Sequence, residues 1–254
     1  MAFDIRKARI DTSAPFSLKV NIRAAKPGVV RVTVWEKTRP HTVYSDRRVG
    51  SAKDPVTGND VVWFAFPVLP GKLGIRVSGA ELVSTEAVPL PKNLSGGELD
   101  GFLAFAGELS YHLGRIPTGT YAPENKSFTV RLLDKIRAHD TGRVLTTAAR
   151  GSLTERLIEV CRPDFLKMSV PNRLSVLLHE YGHSGLGMED ETACDLFAAK
   201  TMLGMGYDKI ETVYALSKLF LYNTGISPAL RMDQERRVAK VSGFVAQYHR
   251  PVQK

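Results

Sequence analysis

Two histidines and a glutamate have a spacing that could bind a metal ion and activate water. They are His179, Glu180 and His183, in the order H-E-x-x-H, after the apolar residues 176–178. If this segment is helical, residues four apart share a face and lie about 6 Å apart, so both imidazoles can reach one ion. The Glu180 carboxylate can then reach a water molecule on that ion. This set of three residues at this spacing is typical of zinc hydrolases.

Seven residues separate His183 from a second acidic pair. Glu191 and Asp195 are again four apart, in a segment rich in alanine and leucine that predicts a helix over 191–203. Catalytic zinc usually has three protein ligands and one open position, so we expect Glu191 to be the third ligand. Asp195 could accept a hydrogen bond from the far nitrogen of a ligating histidine. The short separation requires a tight turn between the two helices. If that turn does not bring Glu191 to the metal, Glu189 or Asp190 is the alternative third ligand.

This combination of motifs resembles that of the gluzincins, H-E-x-x-H followed by E-x-x-x-D. Here it reads His179-Glu-Tyr-Gly-His183 and Glu191-Thr-Ala-Cys-Asp195, and residues 174–208 are similar to the membrane-protease and repressor-cleaving metallopeptidase groups of that clan. The resemblance implies one Zn²⁺ per chain on His179, His183 and Glu191, with Asp195 orienting a histidine. It also implies a zinc-dependent endopeptidase acting on a protein or peptide substrate, in which a zinc-activated water attacks and Glu180 is the base.

Two further features of the site follow from zinc-peptidase chemistry. The resemblance to zincins implies a strand beside the active-site helix, whose edge binds the substrate backbone. A fourth protein group usually stabilises the oxyanion. The sequence does not choose among its candidates, which are Tyr207, Tyr214, Tyr222, His249 and Arg231.

The first third of the chain alternates apolar and polar residues, which predicts β-strands. The expected strands cover residues 16–23, 30–35, 42–44, 61–68, 73–77 and 82–88, with the one over 61–68 central because it is apolar on both faces. Lys26-Pro27-Gly28 is expected to be a turn, and residues 89–97 a linker. Short strands without a helical pattern favour an antiparallel sandwich or a small barrel.

The rest of the chain has mainly helical periodicity. We expect helices over 98–113, 191–203, 207–223 and 232–248, and a helix through the metal motif with Ser169 as N-cap and Pro171 in its first turn. We expect strands over 141–147 and 153–161, and residues 128–138 are compatible with either a strand or a helix. The predicted fold class is α+β, with a β-sandwich-like docking domain (1–92) and a mainly helical zincin-like metallopeptidase domain (93–254).

Charge and composition narrow the functional classes. The 254 residues carry a net charge of +9, and residues 1–92 hold 15 Lys and Arg against 8 Asp and Glu. No nucleic-acid-binding motif accompanies this charge, so nucleic acid is disfavoured as a partner. The two cysteines, Cys161 and Cys194, predict buried thiols and no disulfide framework. We find no signal-peptide pattern and no membrane-spanning run, and expect a cytoplasmic protein or one carried in a virion.

Two other functions remain open from the sequence. One is a structural or assembly component, for example of a phage virion, that retains a metallopeptidase-like domain with little or no activity and binds a partner through its N-terminal domain. The other is a nucleic-acid-binding protein with a structural zinc, although structural sites more often use cysteines. Loss of activity on substitution of Glu180 by glutamine would separate the enzyme from the assembly component.

Overall fold

The computed structural model describes residues 4–6, 16–36, 43–66, 73–89, 98–123, 127–221 and 227–248. Over these residues it contains six α-helices and three β-sheets, which confirms an α+β protein. The chain divides into two compact units, Met1–Pro91 and Lys92–Lys254. Most of the expected linker, residues 90–97, lies outside the described residues. No helix in the described part is long and apolar enough to cross a bilayer.

The N-terminal unit consists of strands. They are β1 (Asp4–Arg6), β2 (Phe16–Gly28), β3 (Val30–Glu36), β4 (Val43–Val49), β5 (Val56–Phe66), β6 (Leu73–Ser78) and β7 (Glu81–Pro89). One sheet has the order β1-β6-β3-β4 and the other the order β5-β2-β7, and every described pairing in them is antiparallel. Side chains of the two sheets meet where Tyr44 stacks on Phe66 with ring centroids 4.1 Å apart.

Two expectations for this unit were wrong. Residues 26–28 continue β2 with a shift in register after Ala24 instead of forming a turn. The central strand of the second sheet is β2, and β5 lies at its edge. The second apolar face of β5 is not buried: Val61 and Trp63 are 39% and 36% exposed, and the ammonium of Lys19 lies 5.8 Å from the Trp63 ring centre.

The C-terminal unit combines helices with a small mixed sheet. The helices are α1 (Glu98–His112), α2 (Arg162–Lys167), α3 (Val170–Leu186), α4 (Glu191–Gly204), α5 (Lys209–Leu221) and α6 (Pro228–Gln247). The sheet contains β8 (Gly119–Tyr121), β9 (Thr129–Leu133), β10 (Ala149–Gly151) and β11 (Leu157–Cys161), in the order β10-β11-β9-β8. Strands β9 and β11 are parallel, and the short strand β10 forms one edge.

The helices were predicted more accurately than these strands. The ambiguous segment 128–138 contains the strand β9, and the strand expected over 153–161 begins only at Leu157. The strand expected over 141–147 was wrong: there, one isolated bridge joins Arg137 to Val144, and the edge strand comes later, at Ala149–Gly151. Helix α6 begins before residue 232, because the Ser227 hydroxyl caps it and Pro228 occupies its first turn.

Helix α3 carries the metal motif, and its first turn has the expected N-cap and proline. The Ser169 hydroxyl accepts from the Asn172 N–H, and Pro171 lies in the first turn. Gly187 ends the helix in the left-handed conformation, with φ of 66°, which suits a residue without a Cβ. On the packed side, Tyr181 stacks on Phe102 at 4.0 Å between ring centroids. These contacts hold the helix in place and leave its metal-motif face towards α4.

Candidate metal centre

Three donor atoms from α3 and α4 come together at one point. The His179 and His183 Nε2 atoms are 3.2 Å apart. The Glu191 carboxylate places one oxygen 3.3 Å from His179 Nε2 and the other 3.4 Å from His183 Nε2. Among the described residues, these three form a cluster that could hold a metal ion. Each offers one ligand atom, and the three atoms all lie within 4.8 Å of one another. The seven residues between His183 and Glu191 are therefore enough to bring Glu191 to both histidines.

These separations fit the size of a zinc ion. Zinc bonds of about 2.0–2.1 Å in a tetrahedral site place neighbouring ligand atoms about 3.3 Å apart. Two neutral imidazoles and one carboxylate form a donor set typical of catalytic zinc with one position left for water. The chemistry and spacing of the three donors thus fit one zinc ion.

Each histidine is held through its other ring nitrogen. His179 Nδ1 lies 2.8 Å from an oxygen of Asp195, which is buried in the first turns of α4. His183 Nδ1 lies 2.6 Å from the backbone carbonyl of Met188, in the turn between α3 and α4. Each oxygen can accept a hydrogen bond from Nδ1 and so fixes the orientation of the ring, with Nε2 facing the cluster. Metal-ligating histidines usually have an acceptor of this kind at their second nitrogen.

Glu180 contacts the edge strand β10. Its Oε2 accepts a 2.5 Å hydrogen bond from the N–H of Gly151. A Cβ on Gly151 would lie 2.5 Å from the Glu180 carbonyl oxygen and 3.1 Å from the His183 Cβ, so only glycine permits this approach of strand and helix. Burial raises the pKa of the Glu180 carboxyl above its ordinary value, against the nearby imidazoles. A raised pKa suits a group that must accept and release a proton near neutral pH.

Without a metal ion, the cluster is an ion-pair network. Burial alone would lower the pKa of His179, but the hydrogen bonds with Asp195 and Glu191 outweigh it and raise the value to about 9. The His179 hydrogen bond is also the main reason that the pKa of Glu191 falls to about 2, with Arg237 contributing. Because zinc binds the neutral imidazole, a metal ion entering this site would displace the proton of His179.

The alternative ligands take other positions. Asp190 is the N-cap of α4, and its carboxylate accepts from the Ala193 N–H at 2.7 Å. Glu189 is exposed, and neither residue belongs to the three-donor cluster. Cys194 lies with its sulfur 3.5 Å from His183 Nδ1, but burial and nearby carboxylates raise its pKa to about 12. That thiol stays protonated, and both cysteines are free and buried.

A cleft of about 670 Å³ opens beside the cluster. One side consists of residues 145–149, which lead into β10, and the other sides come from helices α2 to α6. Its lining includes His179, Glu180 and Glu191, together with the apolar side chains of Leu145, Val176, Leu216, Leu219 and Leu230. This size and this mixture of apolar walls with a few polar groups are typical of ligand sites.

The cleft does not single out an oxyanion-stabilising residue among our candidates. Tyr207 is fully buried, Tyr214 is half-buried and Arg231 is exposed, and none of these three is among the described residues that line the cleft. Tyr222 and His249 lie outside the described residues.

Sequence reasoning missed Arg237, to which it gave no role. In the structure the Arg237 guanidinium contacts both Asp195 and Glu191. The sequence did contain a signal, because Arg237 lies on one face of the helix with Gln234, Val241 and Val245. Those three neighbours are buried. A cation on the buried face of a helix needs a partner, and the acidic pair of α4 provides it.

Three comparisons with known proteins return no match. No protein-family model matches this chain. No curated protein and no solved structure matches it either.

Proposed function

We propose that this chain is a zinc-dependent endopeptidase whose metal centre is His179, His183 and Glu191 and whose general base is Glu180. The observation that carries the proposal is the three-donor cluster, with separations of 3.2, 3.3 and 3.4 Å, beside a buried carboxylate in an open cleft. The resemblance to gluzincins gives the same assignment of roles to the same residues.

The three ligands and their supports define the chemistry available at the centre. A bound zinc ion would acidify a water ligand and polarise the substrate carbonyl. The chain supplies two oriented imidazoles and one carboxylate, and the second nitrogen of each ring has an oxygen partner. This preorganisation means that the ligands need little rearrangement on metal entry.

Glu180 would carry the proton through the reaction. Its carboxylate takes a proton from the attacking water as the water oxygen bonds to the scissile carbonyl carbon. It then gives that proton to the amide nitrogen as the carbon–nitrogen bond breaks. Burial, which raises its pKa, favours the first of these transfers, the uptake of the proton from water.

The walls of the cleft support an extended polypeptide as the substrate. Strand β10 is the edge strand of its sheet, next to Glu180, and an extended peptide could pair along such an edge. Apolar side chains of α3 and α5, namely Val176, Leu216 and Leu219, form a wall that could hold a side chain of that peptide.

For the N-terminal unit we propose a β-sandwich-like module that docks a protein partner or substrate. Two antiparallel sheets whose side chains meet at Tyr44 and Phe66 support the sandwich. The excess of positive charge over residues 1–92 supports an acidic protein surface as the partner. We place this role second to the metal centre, because a fold of this kind does not by itself specify a function.

One observation favours the second candidate, an assembly component with a silent site. The Glu180 Oε2 atom already accepts from Gly151 at 2.5 Å, so one oxygen of the base is occupied by the protein itself. In an active enzyme this hydrogen bond would have to leave the other oxygen available to water. Activity measurements on the zinc-loaded chain decide between the two candidates.

The test begins with zinc content and continues with hydrolysis. We expect about one zinc per wild-type chain after dialysis, and loss of that zinc in Glu191→Ala. The zinc-loaded wild type should cleave dye-quenched casein or members of a set of internally quenched peptides. Glu180→Gln should keep its zinc and lose about 10²- to 10⁴-fold in rate, because proton transfer by the base is removed.

Glu189→Gln is the matched control, since it removes one exposed acid from the same turn without touching the cluster. It should keep both zinc and activity. A wild type that binds zinc but cleaves neither probe, or a Glu180→Gln variant as active as the wild type, would refute the peptidase and leave the assembly component.

A further inference from the structure

The guanidinium of Arg237 lies between the two acids of α4. Its Nε and Nη2 atoms are 2.6 and 3.0 Å from the two carboxylate oxygens of Asp195. Its Nη1 atom is 3.1 Å from Oε2 of Glu191, the oxygen that also faces His179. Every guanidinium nitrogen thus points at an acid of the metal centre, and the side chain is only 11% exposed.

This contact uses both oxygens of Asp195. Oδ2 faces Arg237, and Oδ1 is shared between Arg237 and Nδ1 of His179. Asp195 is 2% exposed, so its charge depends on these partners. A carboxylate held on two sides in this way cannot turn towards the metal position. Arg237 therefore keeps Asp195 behind His179.

Glu191 is in the opposite situation. Its side chain is 55% exposed and begins a helix, so by itself it would sample several rotamers. An N–H of Arg237 contacts one carboxylate oxygen of Glu191 and so holds this side chain in the rotamer that contacts both histidines. Planar guanidinium groups suit such multiple contacts with carboxylates better than the ammonium of lysine does.

The position of Arg237 is set by helix packing. Val241 and Val245 of α6 lie in one hydrophobic cluster with Ala199 and Leu203 of α4. Arg237 is one turn before Val241 on the same face of the helix. The apolar contact between α4 and α6 therefore fixes the distance between the guanidinium and the two acids.

We propose that Arg237 is a positioning residue of the metal centre: it selects Glu191 as the third ligand, holds Asp195 as the orienter of His179, and makes the centre depend on helix α6. The zinc in this inference is that of the proposed function, but hydrolysis is not needed to test it. Arg237 acts through the acids and is not itself placed as a ligand.

The test compares Arg237→Ala, Arg237→Lys and Arg236→Ala in the full chain. Arg236 is the matched control, because it is the adjacent arginine of α6, is exposed, and pairs with Asp233 of its own helix. Zinc affinity is measured by competition with a chelating dye, the fold of the metal-free protein by circular dichroism and thermal melting, and the ligand set from the visible spectrum of the cobalt-substituted protein.

We expect Arg237→Ala to weaken zinc binding about 10- to 100-fold, the range typical of groups that orient metal ligands. Its cobalt spectrum should change, because a freed Asp195 or a mobile Glu191 alters the ligand set. Arg237→Lys should recover only part of the affinity, since one ammonium cannot serve both acids. Arg236→Ala should stay within about two-fold of the wild type.

An Arg237→Ala variant with wild-type zinc affinity and cobalt spectrum would overturn the inference while leaving the proposed peptidase intact. If that variant does not fold, Arg237→Gln is measured in its place and wild-type affinity again overturns the inference. A wild type that binds zinc without cleaving any probe refutes the peptidase and not the role of Arg237. A wild type that binds no zinc overturns both.

Discussion

The two units of this chain differ in what they bury. In the N-terminal unit, the buried polar or charged residues among those described are Ser45 and Arg47, and the rest of its interior is apolar. In the C-terminal unit twelve such residues are buried, including Arg173, Glu159, Asp195 and Glu211. Burying polar groups is unfavourable unless each finds a partner, so a fold selected for stability alone has little use for them. The interior of the C-terminal unit therefore depends more on polar partners than that of the N-terminal unit.

The composition of the sequence lets each unit be followed separately. Its only tryptophans, Trp35 and Trp63, both lie in the N-terminal unit, whereas every described helix lies in the other unit. Tryptophan fluorescence therefore follows the first unit and helical circular dichroism the second. This separation matters because a chain of two units need not unfold in one step.

The largest expected stability effect concerns Arg173, which is fully buried in α3. Its guanidinium donates to the carbonyls of Phe165 and Ser110, each at 2.7 Å, and so joins α3 to α2 and α1. Burial lowers the pKa of this side chain to about 10. Arg173→Ala should lower the free energy of unfolding by about 3 kcal/mol, because it removes packing and leaves carbonyls without donors. Denaturant titration followed by helical circular dichroism measures it.

The control for that prediction is a cation of the other unit. Lys19 pairs with Glu86 at 3.7 Å on the exposed face of β2, and Lys19→Ala should change the fluorescence-detected unfolding free energy by less than about 1 kcal/mol. If the two substitutions change the unfolding free energy by similar amounts, the difference in buried polar residues between the units does not matter for stability.

A second prediction tests the contact between β10 and α3. Gly151→Ala places a Cβ 2.5 Å from a backbone oxygen of α3, so the strand must move away from Glu180. We expect a loss of about 1–3 kcal/mol in stability and, for an active peptidase, about 10²-fold in rate, because small displacements of catalytic groups have large effects. Thermal melts and the quenched-casein assay measure the two quantities.

Gly243→Ala is the opposite control for the same unit. Gly243 lies within α6, and a Cβ there would meet no atom within 4 Å. Alanine should therefore stabilise the helix by about 0.5–1 kcal/mol. If Gly151→Ala also stabilises the protein and keeps its activity, strand and helix do not depend on this contact.

The smallest effect is expected at Asp190, an exposed acid that supports the site without belonging to the cluster. Asp190→Ala removes the N-cap of α4 and should reduce stability by about 1 kcal/mol with zinc retained. Asp190→Asn should keep both the cap and the zinc. Loss of zinc in Asp190→Asn, measured by elemental analysis, would identify Asp190 as a ligand and contradict the placement of Glu191.

The predictions that succeeded from sequence depended on neighbours along the chain. Ser169 and Pro171 set the start of α3 through a local hydrogen bond and a backbone preference. The meeting of His179, His183 and Glu191 requires one helical turn and one short connection, both of which spacing describes. What sequence reasoning missed came from far along the chain: Gly151 is 29 residues before Glu180, and Arg237 is 42 residues after Asp195. The edge position of β5 was also missed, because its exposed apolar face imitates a buried strand.

The different supports of the two histidines have an evolutionary consequence. His183 is oriented by the main-chain carbonyl of Met188, a group that every amino acid at that position would supply. His179 depends on the side chain of Asp195, which in turn depends on Arg237. Mutation can therefore adjust the basicity of His179 in small steps at two positions, whereas the carbonyl that orients His183 is present whatever residue occupies position 188. Within one candidate metal centre, the support of one imidazole is open to selection and that of the other belongs to the backbone.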